Sequence, residues 1–423
     1  MPFTFTWLRT PHSLAPNVLG QLHQVRMGSK EYLHMFNLLG VVRKGARLIA
    51  AIGLTGAIAA CDVTLPTVGG GGETLGGGGT TVALLVPYGS NTPGDEGLAR
   101  SLENAARLAA ADLGGDINIK VYRTAGQAGT AAAVADQAIA EGASVIVGPL
   151  RSDAANAAAV AARDDGVNVL AFSNNTSIAG GNLFVLGNTF ENIANRLVRY
   201  AGAQGRSRVV VVYSRTPVGQ IARSAVVKAT SGTNVQVVGD GSFDFSQEGI
   251  AAAVPTIAQT ISSSGANAIM LTDDSAGALP LLAQMLPESG VNPSVVKSLG
   301  LTRWDVPPQT LALPGLQGGW FALPDPALAS RFNARYQGAY GQAPHPLAGL
   351  AYDGVAAVGA LAAKNLKATA GNLTQSSGFA GVNGVFRLKG DGTIERALAV
   401  AQVTNSQVQI VDPAPKSFSR GGF

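Results

Sequence analysis

Four short clusters of hydroxyl, amide and carboxylate residues carry most of the polar chemistry of this 423-residue chain. They are Gly148-Pro149-Leu150-Arg151-Ser152, Ser173-Asn174-Asn175-Thr176, Tyr213-Ser214-Arg215-Thr216 and Thr272-Asp273-Asp274-Ser275. Each follows a short β-rich run and precedes a helical pattern. Backbone N–H groups and the dipole at a helix start favour a carboxylate. An acidic side chain on a facing wall suits an amine. Together they could hold both charged ends of an amino acid. Ser, Asn, Thr and Asp are also the preferred helix N-caps, so each cluster taken alone reads first as a cap. The repetition at four corresponding strand ends favours binding. Tyr88, after the first β-rich run, is a further candidate wall of such a site.

Catalytic chemistry is poorly supplied. Beyond residue 61 the one histidine is His345, between Pro344 and Pro346, and nothing around it resembles a Ser-His-Asp arrangement. Metal sites built on Cys and His lack the ligands they need, and no EF-hand spacing is present. There is no Walker A run and no GxGxxG at a strand-to-helix turn. No enzyme activity, metal or cofactor is therefore expected.

The only cysteine is Cys61. Arg43, Lys44 and Arg47 precede an apolar stretch over residues 48–58, which closes on Ile58-Ala59-Ala60-Cys61. Basic, apolar and small-residue segments in that order mark a secretory signal. A cysteine directly after the cut resembles the bacterial lipobox, which implies lipidation of Cys61 and a membrane anchor. Residues 1–60 then form a removed leader, with residues 1–34 read as a mis-assigned start before Met35. The apolar run is shorter than the roughly 20 residues that span a bilayer. Those 60 residues hold six of the 30 basic side chains and one of the 26 acidic ones. The mature part is left with 24 against 25, so the basic balance is no sign of nucleic-acid binding. Residues 61–79 are dominated by glycine and read as a flexible tether of roughly 23 Å.

The elements that must position the clusters begin at Thr81. Strand-like runs at 82–86, 117–122, 144–147, 167–172, 208–213, 235–238 and 268–271 alternate with helical runs. The helical runs lie at 97–113, 130–141, 153–164, 219–230, 250–263 and 276–286. Such alternation implies an α/β fold with parallel sheets covered by helices on both faces. About 330 residues exceed one layer stack, so two lobes are expected. Near the end, 384–388 and 397–403 flank Gly390-Asp391-Gly392 and read as a β-hairpin. Residues 412–423 read as a loose tail.

At these residues the chain resembles the type I periplasmic binding proteins, within them the leucine/isoleucine/valine-binding family. The match rests on Gly-Pro-Leu-Arg-Ser at 148–152, the loop ending in Thr176, and three later motifs. These are Gly318-Gly319-Trp320-Phe321, Phe332-Asn333-Ala334-Arg335-Tyr336 and Ala351-Tyr352-Asp353-Gly354-Val355. The resemblance covers roughly residues 81–405. It implies two lobes joined by three hinge crossings, with 80–188 and 316–375 in lobe 1, and 189–315 and 376–411 in lobe 2. It implies that Ser152, Asn174 and Thr176 meet the ligand's carboxylate or amine. Tyr213 would lie near the facing wall, and Asp273 or Asp274 would hold the amine. Arg151 is bulky beside Ser152, and Asn174 stands where amino-acid-binding members often have a small residue. The implied function is the solute-binding lipoprotein of an amino-acid-type ABC transporter, with a small polar ligand and a permease as partners. The opening 82–87 also resembles the penicillin-binding-protein activators, which leaves a regulator of cell-wall synthesis, partnered by a penicillin-binding protein, as the alternative.

Overall fold

The structure is a computed structural model that describes residues 79–113 and 117–418. The expected leader, Cys61, most of the tether and the last five residues lie outside the described residues. The described chain winds two α/β lobes in the same sense. In the first lobe, β1 (Thr80–Val86), α1 (Asp95–Leu113), β2 (Ile117–Arg123) and α2 (Ala128–Ala140) come first. Then come β3 (Val145–Val147), α3 (Ser152–Ala161), β4 (Asn168–Ala171) and β5 (Leu183–Val185). Every strand pair in this sheet is parallel, in the order β2-β1-β3-β4-β5. The sequence explains why both faces are covered. Val145, Ile146 and Val147 are all buried, so β3 has no polar face to offer solvent. Helix α1 turns Leu98, Leu102, Ala105 and Ala109 inward at helical spacing, and opens with Asp95 and Glu96, which suit the positive end of the helix dipole.

The chain then enters the second lobe. Its elements are α4 (Phe190–Ala203), β6 (Arg208–Ser214), α5 (Pro217–Thr230), β7 (Gln236–Phe243), α6 (Gln247–Ser263), β8 (Ala268–Leu271), α7 (Leu279–Glu288), β9 (Lys297–Gly300) and β10 (Trp320–Leu323). It returns to the first lobe with α8 (Pro326–Tyr340), α9 (Ala348–Ala362), α10 (Ala370–Leu373), β11 (Phe379–Gly381), β12 (Gly384–Leu388) and β13 (Ile394–Arg396). It finishes in the second lobe with β14 (Ala399–Thr404) and β15 (Gln407–Asp412). The second sheet runs β15-β14-β10-β9-β8-β6-β7, parallel except for β14 and β15. Helices and loops cover both faces of each sheet, which gives four apolar clusters, two per lobe.

The chain passes between the lobes three times, around residues 186–189, at Pro324-Asp325 and at Ala397-Leu398. The boundaries differ from those expected. Strand β10 pairs with β9 and β14, so 316–323 belong to the second lobe, not the first. Phe379, Phe386, Leu388 and Ile394 pack in the first lobe's core, so 376–396 belong there. The expected hairpin is also redrawn. Gly384–Leu388 pairs with Ile394–Arg396, whereas Ala399–Thr404 joins the other sheet. Strand propensity records that residues are extended, not which sheet they complete. The expected tail begins as a strand, because β15 runs to Asp412.

A buried ion pair ties the crossings together. Arg396 and Asp353 are both fully buried at their side chains, with Nη1 to Oδ2 at 2.6 Å. Asp353 also accepts the Val382 N–H at 2.7 Å and the Asn383 side-chain amide at 3.0 Å. Arg396 donates from Nη2 to the Leu186 carbonyl on the first crossing. Its backbone N–H donates to Asn192 Oδ1 of α4 at 2.9 Å, and the Asn192 amide returns a bond to the Arg396 carbonyl at 3.1 Å. One guanidinium thus touches α9 in one lobe and the strand leading to the other.

Candidate functional site

In an open parallel sheet, ligands bind beyond the carboxyl ends of the strands, where the winding order reverses. Both sheets carry the order 2-1-3-4 in their own strands, so the reversal falls between β1 and β3 in the first lobe and between β6 and β8 in the second. Tyr88, Arg151 and Ser152 follow β1 and β3. Ser214 ends β6, and Thr272, Asp273 and Asp274 follow β8.

The second lobe's half is a concavity of about 320 Å³. Ser214, Thr272, Asp273, Asp274 and Thr302 supply its polar lining, and Phe190, Val218 and Phe245 its apolar lining. Asp273 is half-buried, and that burial pushes its carboxyl above the usual value. Hydrogen bonds from the Ser214 backbone and the Thr272 hydroxyl act in the opposite direction, and the neighbouring Asp274 charge adds to the rise. Thr272 Oγ1 lies 3.4 Å from Asp273 Oδ2 and 3.2 Å from the Val212 carbonyl, which fixes the loop onto the end of β6. Asp274 is exposed, and its Oδ1 accepts the Ala276 N–H at 3.1 Å in a turn of its own. A half-buried carboxylate with no cationic partner among the described residues, in a concavity also lined by two phenylalanines, suits an ammonium group with an apolar substituent.

The first lobe's half contains the start of α3. Gly148 precedes it at φ +95°, with the Leu85 carbonyl and the Phe172 ring against the space a Cβ would fill, so only glycine fits there. Helix α3 has Arg151 as its N-cap residue, whose side chain takes none of its N–H groups, while Asp153 Oδ1 accepts the Ala154 N–H at 2.9 Å. Ser152 stands at that helix start, half-exposed. Arg151 reaches back to α1, with Nη2 at 2.6 Å from Asp95 Oδ2 and 3.1 Å from Thr92 Oγ1. Burial works against the Asp95 charge, but the Ser90 hydroxyl and Arg151 outweigh it and hold its carboxyl below the usual value. A helix start favours an anion; here the Asp153 carboxylate already takes one N–H and Asp95 already pairs the Arg151 guanidinium.

The remaining expected residues fall elsewhere. Tyr213 is not on the wall of the site. It packs in the apolar cluster beneath α4 and α5, with Arg223 over its ring at 5.7 Å. Strand side chains alternate between faces, so its neighbour Ser214 takes the lining position. Tyr88 is half-buried and donates to Glu103 Oε2 at 2.9 Å; burial first, then that carboxylate, push its phenol up to about 12. Asn174 is exposed and lies against Gly187 of the first crossing. Thr176 donates to Glu191 Oε1 at 3.3 Å and lines a different concavity. Several cluster members do serve as caps. Asn175 accepts the Ser177 N–H at 3.0 Å, and Thr216 accepts the Gly219 N–H at 3.1 Å. Phe190, Phe245 and Thr302 were not singled out from the sequence. They come from three separate loops or helix starts, and only the fold assembles them.

His345 sits in a loop, its Nδ1 accepting the Leu347 N–H at 3.1 Å and its own N–H donating to Ser101 Oγ at 2.8 Å. Among the described residues no group of three His, Cys, Asp or Glu side chains is placed to hold a metal, and no helix is long and apolar enough to cross a membrane.

A family profile described as periplasmic binding protein matches residues 80–407. The chain belongs to that family. Among solved structures it is similar to a putative branched-chain amino acid ABC transporter protein from Rhodospirillum rubrum, at 18% identity and a TM-score of 0.67, covering 79% of this chain and all of that one. It is also similar to the leucine-binding protein LivK from Thermotoga maritima, at 18% identity and a TM-score of 0.54, covering 79% of this chain and 98% of that one. A solute-binding protein from R. palustris, solved with benzoate, matches at 19% identity and a TM-score of 0.55, covering 82% of this chain and 99% of that one. At such identities the likeness establishes the fold. No protein of curated function matches the chain.

Proposed function

We propose that this protein is the extracytoplasmic solute-binding component of an ABC transporter, and that its solute is a small amino-acid-like zwitterion. The observation that carries the reading is Asp273, half-buried at the second lobe's winding reversal with no cationic partner among the described residues. The solute's ammonium group sits on Asp273, and its side chain lies against Phe190 and Phe245. Its carboxylate meets the start of α3, at Ser152 and beside Arg151. The family match, the likeness to a leucine-binding protein and the likeness to a structure solved with benzoate support a small carboxylate-bearing solute. The three crossings let the lobes close over it by hinge bending. The protein binds and releases its solute unchanged, and a membrane permease receives it. Lipid on Cys61 holds the receptor at the membrane surface through its glycine-rich tether.

Thermal denaturation in the presence of a panel of amino acids, short peptides and aromatic carboxylates tests this. A saturable rise in melting temperature with a zwitterionic member supports the reading. A flat response of the ligand-free protein to the whole panel contradicts it.

A further inference from the structure

A second concavity, of about 430 Å³, lies on the other side of the first crossing. Thr189 and Glu191 line it, whereas Phe190 between them lines the solute concavity, so the crossing strand divides the two. Its walls come from both lobes. Helix α4 and the last turn of α5 form one, and the turn between β12 and β13 forms the other, near Thr176. Three charged groups at its edge are already paired. Arg396 is held by Asp353, Arg196 by Asp412 at 2.6 Å, and Glu395 by Arg387 at 2.6 Å. Arg199 and Lys228 of the second lobe are exposed and neither makes a close ion pair among the described residues, although the Lys228 charge reaches Asp391, a carboxylate that also lines the concavity. Lys389 of the first lobe lies 3.8 Å from Asp391 in an exposed pair, a contact of little strength in water. Glu191 is engaged by the Thr176 hydroxyl. Buried Arg396 also borders the concavity, and its Nε has no hydrogen-bond partner.

We propose that this concavity is a second binding site, for a small dianion, held between Arg199 and Lys228 on one lobe and Lys389 on the other. Phosphate and short dicarboxylates share the required chemistry of several charged oxygens on a compact body, and cationic side chains from three separate elements match it. Because the two walls belong to different lobes, a bound anion bridges them and restrains the hinge. The site is independent of the solute reading, since no residue of the Asp273 concavity contributes to it.

The test is calorimetric titration of the full-length chain at low ionic strength with inorganic phosphate and, separately, with succinate. Sodium chloride at matched ionic strength is the control. The expected result is saturable binding of at least one of the two probes and none of chloride. The probe that binds separates a phosphate site from a carboxylate site. The double variant Arg199→Gln/Lys228→Gln weakens that binding by about tenfold or more. Lys389→Gln, on the opposite lobe, weakens it in the same direction. Asp273→Asn leaves it unchanged, whatever that variant does to solute binding. No saturable heat with either probe overturns the proposal. So does binding that the exposed-residue variants leave intact while their thermal melts match the parent protein.

Discussion

Asp273 is placed where its charge costs stability. Burial raises its carboxyl above the usual carboxylate value, and two hydrogen bonds only partly offset the rise. The folded protein therefore holds this proton more tightly than the unfolded chain does. The group's contribution to stability is fully present below the unfolded value and is lost as pH rises through the folded one. Asp273→Asn removes that loss. The variant is expected to melt above the parent protein at pH 7 and level with it below about pH 4, in thermal scans at both pH values. A parent that melts higher at pH 7 would show that the carboxylate is stabilised by partners other than those described. The placement of Asp273 in this concavity was legible only in part, as one of an acidic pair a residue past a buried strand that could equally cap a helix. Tyr213 was not, because its hydroxyl draws attention while the strand's alternation decides which way it points. The phase of β6 is set by Val210 and Val212 on one face and by Val209, Val211 and Tyr213 on the other.

At the level of elements, the junction between the lobes depends on the Asp353–Arg396 pair. Both groups are removed from water, so their attraction has a large desolvation cost to offset. The additional hydrogen bonds to Val382, Asn383 and Leu186 make the arrangement viable. Asp353→Ala leaves a buried arginine without its counter-charge. It is expected to lower stability by about 3–5 kcal/mol, read from denaturant unfolding. Combining Asp353→Leu with Arg396→Met is expected to recover most of that loss, because it leaves no charge behind. A single variant as stable as the parent would show that water replaces the carboxylate. The motif around Asp353 was visible in the sequence as a match to a family, but its structural work was not. The partner lies 43 residues away, in a segment that the resemblance assigns to the second lobe. The turn at Asp391 and Gly392 was legible because Asp-Gly has a local conformational cause. The strand that completes the hairpin was not, since Ile394–Arg396 and Ala399–Thr404 look alike locally and are separated only by the crossing at Ala397 and Leu398.

For the whole molecule, alternating β-rich and Ala-rich runs were enough to give two parallel sheets with helices on both faces. The identical winding of the two sheets emerged only from strand order, which pairs residues far apart in sequence. That winding places the start of α3 on one lobe and the Asp273–Asp274 loop on the other at corresponding strand ends. The tether and its anchor extend the account beyond the folded lobes. Metabolic labelling with a palmitate analogue in a bacterial host is expected to tag the parent chain and to leave Cys61→Ala untagged. Equal tagging of both would remove the lipid anchor from the account.

The central claim is that Asp273 receives the ammonium end of an amino-acid-like solute, and calorimetric titration of parent and Asp273→Asn proteins with the best-binding zwitterion addresses it directly. The account predicts saturable binding to the parent at micromolar affinity, about −8 kcal/mol, weakened by about tenfold or more in the variant, which loses a charge-assisted bond. Equal affinity for the two proteins would contradict it.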